Sequence, residues 1–303
     1  MFCAVNGQKS SMMTRNIWKM QPPRMFRWQA ATACLAALLL LAGCRQKAER
    51  HTFTHEVLLP MTPVKNQGKT ELCWAYAMLA TIETEHLLRG DSVNLSAQYV
   101  GRVLEEYRQA VSRQSKSRQI VNRKSANRKS QRAMCQTLLN VIDRYGMVGY
   151  DVLPDDATDE LPTPHLVFML GARYTPQEFA HSVCAPGEYV SLTCQPDSPY
   201  YNKVVVPVAD NWEQNRMLNL PIDTLRSRVD RALRHRHPVC WESSGHAMAI
   251  VGMARDEQHR PYYVMKNSWG TDQPYGGMVY MPVGRLWRDV AAVYMTRDAF
   301  EGR

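Results

Sequence analysis

The chain has 303 residues, 45% of them apolar or aromatic, and a formal net charge of +9. The positive excess raises the question of a nucleic-acid partner, and its distribution answers it. Part lies near the N-terminus, at Lys9, Arg15, Lys19, Arg24 and Arg27, and most of the rest lies between Arg113 and Arg132. There Arg113, Lys116, Arg118, Arg123, Lys124, Arg128, Lys129 and Arg132 alternate with Ser, Asn and Gln. With almost nothing apolar to bury and no aromatic rings to stack on bases, residues 113–132 read as a solvated insertion, and no nucleic-acid partner is expected. Contact with anionic lipid heads or acidic glycans is the other reading of this stretch.

The N-terminal basic residues are followed by the apolar run Ala30 to Leu41 and then by Leu41-Ala42-Gly43-Cys44. An apolar core of this length suits the central region of a signal peptide and is short for a membrane span. Residues 1–43 are therefore read as a signal, with translation from Met25 giving a compact one, and residues 44–62 as a tether. Leu-Ala-Gly-Cys resembles the bacterial lipobox. That resemblance implies cleavage before Cys44, diacylglyceryl modification of its thiol, and a domain lipid-anchored to a membrane of the bacterial cell envelope, outside the cytoplasm.

About 260 residues follow, enough for one two-lobed domain or two small ones. The half from 63 to 170 is helical in pattern. After Cys73 the apolar positions Trp74, Ala77, Met78 and Ile82 recur with a period near that of a helix, and Gly90 ends the run. Ser96 can cap a second helix bearing Val100, Val103, Leu104 and Tyr107. A third carries Met134, Leu138, Val141, Ile142 and Tyr145 and stops at Gly146. Asp151 to Pro164 reads as a loop and a lobe boundary. From 171 to 303 the pattern shifts to strands: Val204 to Val208, Ala247 to Met253, Tyr262 to Met265, Met278 to Met281 and Ala291 to Met295. Thr175-Pro176-Gln177-Glu178 has the capping-box form, and Asp223 can cap a helix bearing Leu225, Val229 and Leu233. A helical lobe followed by a β-rich lobe predicts the α+β class.

Two segments 173 residues apart carry the chemistry. Gln67 to Ala77 places Cys73 at a helix start, where unpaired N–H groups and the positive dipole end favour a negative sulfur. Gly245-His246-Ala247-Met248 and Lys266-Asn267-Ser268-Trp269-Gly270 supply an imidazole and an amide at strand ends. A thiol nucleophile needs a base to take and return its proton, a group to fix that base, and donors for the oxyanion. His246, Asn267 and Gln67 with the Cys73 backbone N–H meet these needs in turn, and the site must then lie in the cleft between the lobes. The remaining histidines (His51, His55, His86, His165, His181, His235, His237 and His259) lack ligand spacing, so no metal and no cofactor is expected.

Gln-Gly with Cys-Trp beginning six residues after the Gln, a later His-Ala, and Lys-Asn-Ser-Trp-Gly together resemble the papain-like cysteine peptidases. Between these motifs, Leu95 to Val100, Asp143 to Gly146, Thr175 to Phe179, Tyr189 to Leu192, Tyr200 to Lys203 and Leu218 to Ile222 look closer to the bleomycin hydrolase or aminopeptidase C branch. The resemblance covers roughly residues 60 to 285. It implies a two-lobed fold, a Cys73-His246-Asn267 triad with Gln67 in the oxyanion hole, and a peptide or protein substrate. It also implies that Trp269 shields the His246–Asn267 bond. Thr70 stands where papain-type enzymes usually carry a disulfide cysteine, so that bridge is expected to be missing.

Endopeptidase and aminopeptidase action both stay open. The related branch lays a longer C-terminal arm in its cleft, and here 36 residues follow Asn267. A cysteine amidase acting on non-protein or cell-wall amides uses the same residues, and a non-enzymatic binding protein keeps the fold without needing all four. An oxidising compartment permits disulfides among Cys135, Cys184, Cys194 and Cys240. Cys184 and Cys194 are joined by the shortest loop, and buried free thiols are the alternative.

Overall fold

The computed structural model describes residues 51–116, 131–157, 161–169 and 171–302. The signal reading of residues 1–43, the lipidation of Cys44 and residues 117–130 of the basic insertion lie outside the described residues. His51 to Arg303 make one compact unit. It opens with strand β1 (Phe53–Leu58), followed by helices α1 (Cys73–Leu88), α2 (Ala97–Lys116) and α3 (Cys135–Tyr145). A two-stranded ribbon of β2 (Val167–Met169) and β3 (Ala172–Tyr174) comes next. The remainder runs α4 (Pro176–Val183), β4 (Tyr189–Thr193), β5 (Lys203–Val205), β6 (Arg216–Asn219), α5 (Ile222–Arg234), β7 (Val239–Glu242), β8 (Ala247–Asp256), β9 (Pro261–Lys266), β10 (Met278–Pro282), α6 (Val283–Arg288), β11 (Ala292–Thr296) and α7 (Arg297–Glu301).

One nine-stranded sheet takes the order β10-β9-β8-β7-β11-β4-β6-β5, with β1 also paired to β8. Its pairings are antiparallel except β4 with β6. Two apolar cores result. One gathers side chains of α1, α2, α3 and α4, and the other packs α5, α6 and α7 with side chains of β7, β8, β9 and β11. The arrangement is the α+β, two-lobed one expected. Phe53 to Leu58, expected within a tether, is instead a strand, because its backbone groups complete the exposed edge beside the long strand β8.

Helix α1 departs from its expected amphipathic pattern. Every residue from Trp74 to His86 is buried, so the helix has no solvent face. It packs on α2 and α3 on one side and on β7 and β8 on the other. Large side chains such as Leu79 and Ile82, each 1% exposed, stabilise it by about 1.5–3 kcal/mol apiece. Several end signals hold. Ser96 Oγ accepts from Tyr99 N at 3.1 Å, and Thr175 with Glu178 forms the full capping box. Gly146, at φ +75°, ends α3 where any Cβ would fall about 2.1 Å from the Pro176 carbonyl carbon. Asp223 is not the cap of α5. That helix starts at Ile222, after Pro221 in extended geometry, which leaves Asp223 in the first turn, where its charge opposes the positive dipole end.

Burying α1 entirely also buries its acids. Glu83 is 0% exposed and forms an ion pair with Lys65 at 2.5 Å, with Lys266 Nζ 3.9 Å away. It also accepts from Thr62 Oγ1 and, at 2.7 Å, from Leu95 N. Lys266 Nζ donates to Thr62 Oγ1 at 2.7 Å, closing the network. Glu85 is held in the same helix by His237 Nδ1 at 3.0 Å. Removing one member of a buried charged set strands the others in low dielectric. Glu83→Ala should therefore destabilise the fold by about 3–5 kcal/mol. A shift of the urea unfolding midpoint measures this; an unchanged midpoint would show that the network contributes nothing.

Candidate active site

Cys73 is the first residue of α1, and Leu72 at the N-cap offers no side-chain oxygen. Ala75 N bonds Leu72 O at 2.9 Å, and the N–H groups of Cys73 and Trp74, with no side-chain cap over them, face an anion at this helix start. The strands bring the imidazole to the same place. His246 immediately precedes β8 and Asn267 immediately follows β9; because these strands are antiparallel neighbours, with Ala249 opposite Lys266, the two residues meet. Asn267 Oδ1 accepts from Ser268 N at 2.9 Å and lies 2.8 Å from His246 Nε2. A backbone N–H only donates, so the shared amide atom is the oxygen, and Nε2 must carry the ring proton. That leaves Nδ1 as the basic nitrogen. Trp269 stacks on the imidazole at 5.0 Å between centroids, and the residue stays 49% exposed.

Gln67 is positioned on both ends of its amide. Its Oε1 accepts from Ser268 Oγ at 2.6 Å and its Nε2 donates to Thr70 O at 2.8 Å. The second N–H of the amide is thereby oriented by two fixed partners. The loop before it is fastened by Asp155, which accepts from Asn66 N at 3.2 Å and Tyr76 Oη at 2.7 Å. An isolated bridge between Asn66 and Trp269 ties this loop to the one carrying Asn267. All four residues expected at the site are thus placed on α1, the loop before it, and the adjacent ends of β8 and β9.

The electrostatics balance burial against neighbours. Burial pushes the Cys73 thiol up, the backbone N–H of Ala247 pulls it down, Glu242 raises it, and Arg132 and the Trp74 N–H lower it. The interaction with Ala247 places the sulfur beside the residue that follows His246. Burial also holds His246 below its ordinary value, against the Asn267 hydrogen bond and together with Arg132, so the ring is a neutral base at neutral pH.

Several of these groups were not anticipated. Arg132, expected in a solvated loop, bonds Asp210 at 3.2 Å and influences both Cys73 and His246. The preceding part of that insertion also differs, since α2 continues through Arg113 to Lys116. Glu242, at the end of β7, is buried and pushed up to about 8, while Tyr294 Oη at 2.7 Å and Cys135 N at 3.2 Å donate to it and partly offset the rise. The one available sequence signal was acids set in apolar runs, such as Glu83 and Glu85 in α1 and Glu242 after Val-Cys-Trp. The described cysteines are free thiols. The bridge suggested between Cys184 and Cys194 is not formed: Cys184 is the buried C-cap of α4, whereas Cys194 is partly exposed past the end of β4.

No family model matches the chain. Ananain from Ananas comosus is 25% identical over 246 residues, which cover 77% of this chain and 54% of ananain. The chain thus spans about half the length of the curated relative it matches. The crystal structure of pepw from Lactobacillus rhamnosis HN001 superposes with a TM-score of 0.64 at 16% identity, covering 93% of each chain. The chain has the papain-like two-lobed fold.

Arg132 lowers both the Cys73 thiol and the His246 ring, so Arg132→Gln should move both titrations to higher pH. The pH dependence of Cys73 alkylation by iodoacetamide and the NMR titration of the His246 ring measure the two shifts. Unchanged midpoints would show that the guanidinium is too well screened to matter.

Proposed function

We propose that the chain is a cysteine peptidase that cleaves peptide bonds through Cys73, His246, Asn267 and Gln67. The observation that carries this reading is that His246 Nε2 is held 2.8 Å from Asn267 Oδ1 while the backbone N–H of the next residue, Ala247, reaches the Cys73 sulfur at the start of α1. In this mechanism His246 Nδ1 takes the thiol proton, and the sulfur attacks the carbonyl carbon of the scissile bond. The oxyanion accepts from the second Gln67 N–H and the Cys73 backbone N–H, and the first-turn dipole of α1 adds to their effect. Collapse of the tetrahedral intermediate breaks the C–N bond. His246 returns its proton to the leaving amine, and water, deprotonated by the same ring, hydrolyses the thioester. Asn267 transfers no proton; it keeps the ring in one tautomer and one orientation.

Cys73→Ala should abolish hydrolysis of a peptide library while leaving the circular dichroism spectrum unchanged. Gln67→Ala should lower kcat by about 10²–10³ with little change in KM, since the lost donor acts on charge that develops in the transition state. Retained turnover in folded Cys73→Ala would overturn the assignment. Cuts mapped by mass spectrometry separate endopeptidase from aminopeptidase action, and cleavage of cell-wall amides alone would replace peptidase with amidase.

The proposal extends to location through Leu41-Ala42-Gly43-Cys44. A chain acylated at Cys44 should fractionate with membranes and resist high salt, because apolar burial of acyl chains is not weakened by salt. Cys44→Ala should abolish labelling by radioactive palmitate. An unlabelled wild-type protein that washes off in salt would instead point to charge-based binding through residues 113–132.

A further inference from the structure

The two most deeply buried thiols of the described residues lie against each other. Cys135 opens α3 and Cys240 sits in β7, each 0% exposed, with their sulfurs 3.4 Å apart. Their backbones are already locked in register. Cys135 N donates to the carboxylate of Glu242, two residues beyond Cys240, at 3.2 Å, and Cys135 Sγ donates to Trp74 O at 3.4 Å. A disulfide has an S–S length of about 2.05 Å, so the sulfurs need to close by roughly 1.4 Å, through rotation of the two side chains toward each other.

We propose that Cys135 and Cys240 form an intramolecular disulfide as the chain folds in the presence of a disulfide oxidant. The two thiols give up two electrons and two protons, the Sγ–Sγ bond forms, and the oxidant's own S–S bond is reduced to two thiols. Timing follows from burial. The Cys135 thiol, desolvated and beside Cys240, is held well above its ordinary value, so exchange is slow once the core has closed and the bond must form before then. The same enclosure then protects it from reductants.

The bond would join α3 of the helical core to β7 of the sheet, directly behind the nucleophile. It closes a loop of about 105 residues, long enough for cross-linking to reduce the freedom of the unfolded chain considerably. It also removes the neighbouring thiol most able to capture Cys73, whose charge Cys135 already feels.

The test is direct. The full chain, reduced and denatured in guanidinium, is refolded with oxidised glutathione, unfolded again in guanidinium containing N-ethylmaleimide, digested with trypsin without reduction and analysed by mass spectrometry. The expected result is the peptide Ala133–Arg144 linked to His237–Arg255, with Cys73 carrying maleimide. The linked protein should melt about 5–15 °C above its reduced form. Maleimide on both Cys135 and Cys240 of the refolded protein, added on unfolding, would overturn the proposal. A link from either residue to a different cysteine, or folding only under reducing conditions, would do the same.

Discussion

A single buried carboxylate sets the geometry on which the site depends. Glu83 has no exposure, so its charge has to be met inside the protein, and the two cations near it come from distant parts of the chain. Lys65 lies two residues before Gln67, and Lys266 immediately precedes Asn267. Glu83 itself is ten residues along the helix that begins at Cys73. Meeting one charge therefore fixes the oxyanion loop, the nucleophile helix and the end of β9 against one another. An apolar contact at the same place would tolerate sliding; hydrogen-bonded charges with defined directions do not.

The sequence was most readable where chemistry or a chain terminus demanded a particular residue type. Cys73 at a helix start, His246 and Asn267 at strand ends, Ser96, Thr175 with Glu178, and Gly146 all have local reasons that leave a mark in the sequence. Less readable were features decided by distant partners. The complete burial of α1 could not be inferred from Trp74, Ala77, Met78 and Ile82, because an amphipathic stripe and one side of an all-buried helix look alike at those positions. Strand β1 was hidden because it has only β8 to pair with and little apolar alternation of its own. Arg132 stood at the end of a run of basic residues, and nothing local separated it from those neighbours; only the fold brings it to Asp210 and the thiol.

Glu242 and Arg132 pull the site in opposite directions, and protonation decides which is felt. A carboxyl held up to about 8 is largely neutral at neutral pH, so it puts little negative charge beside a forming thiolate. Its effect on folding has a definite sign. In the unfolded chain the group ionises near 4.5, while the folded chain keeps its proton to about 8. The favourable contribution is complete below the lower value and is lost as pH climbs through this window. The positive charge of Arg132 persists throughout, so alkaline conditions both cost stability and set Glu242 against the arginine at the sulfur.

The enclosure of α1 also bears on how the protein fails. A helix covered on every face has no way to fray locally, so the backbone amides from Trp74 to His86 can meet solvent only when the surrounding cores separate. The segment bearing the nucleophile then opens at the same rate as the whole unit. Heat inactivation becomes a question of the barrier to global unfolding, and a protein of modest equilibrium stability can still keep its site intact for as long as that barrier is high.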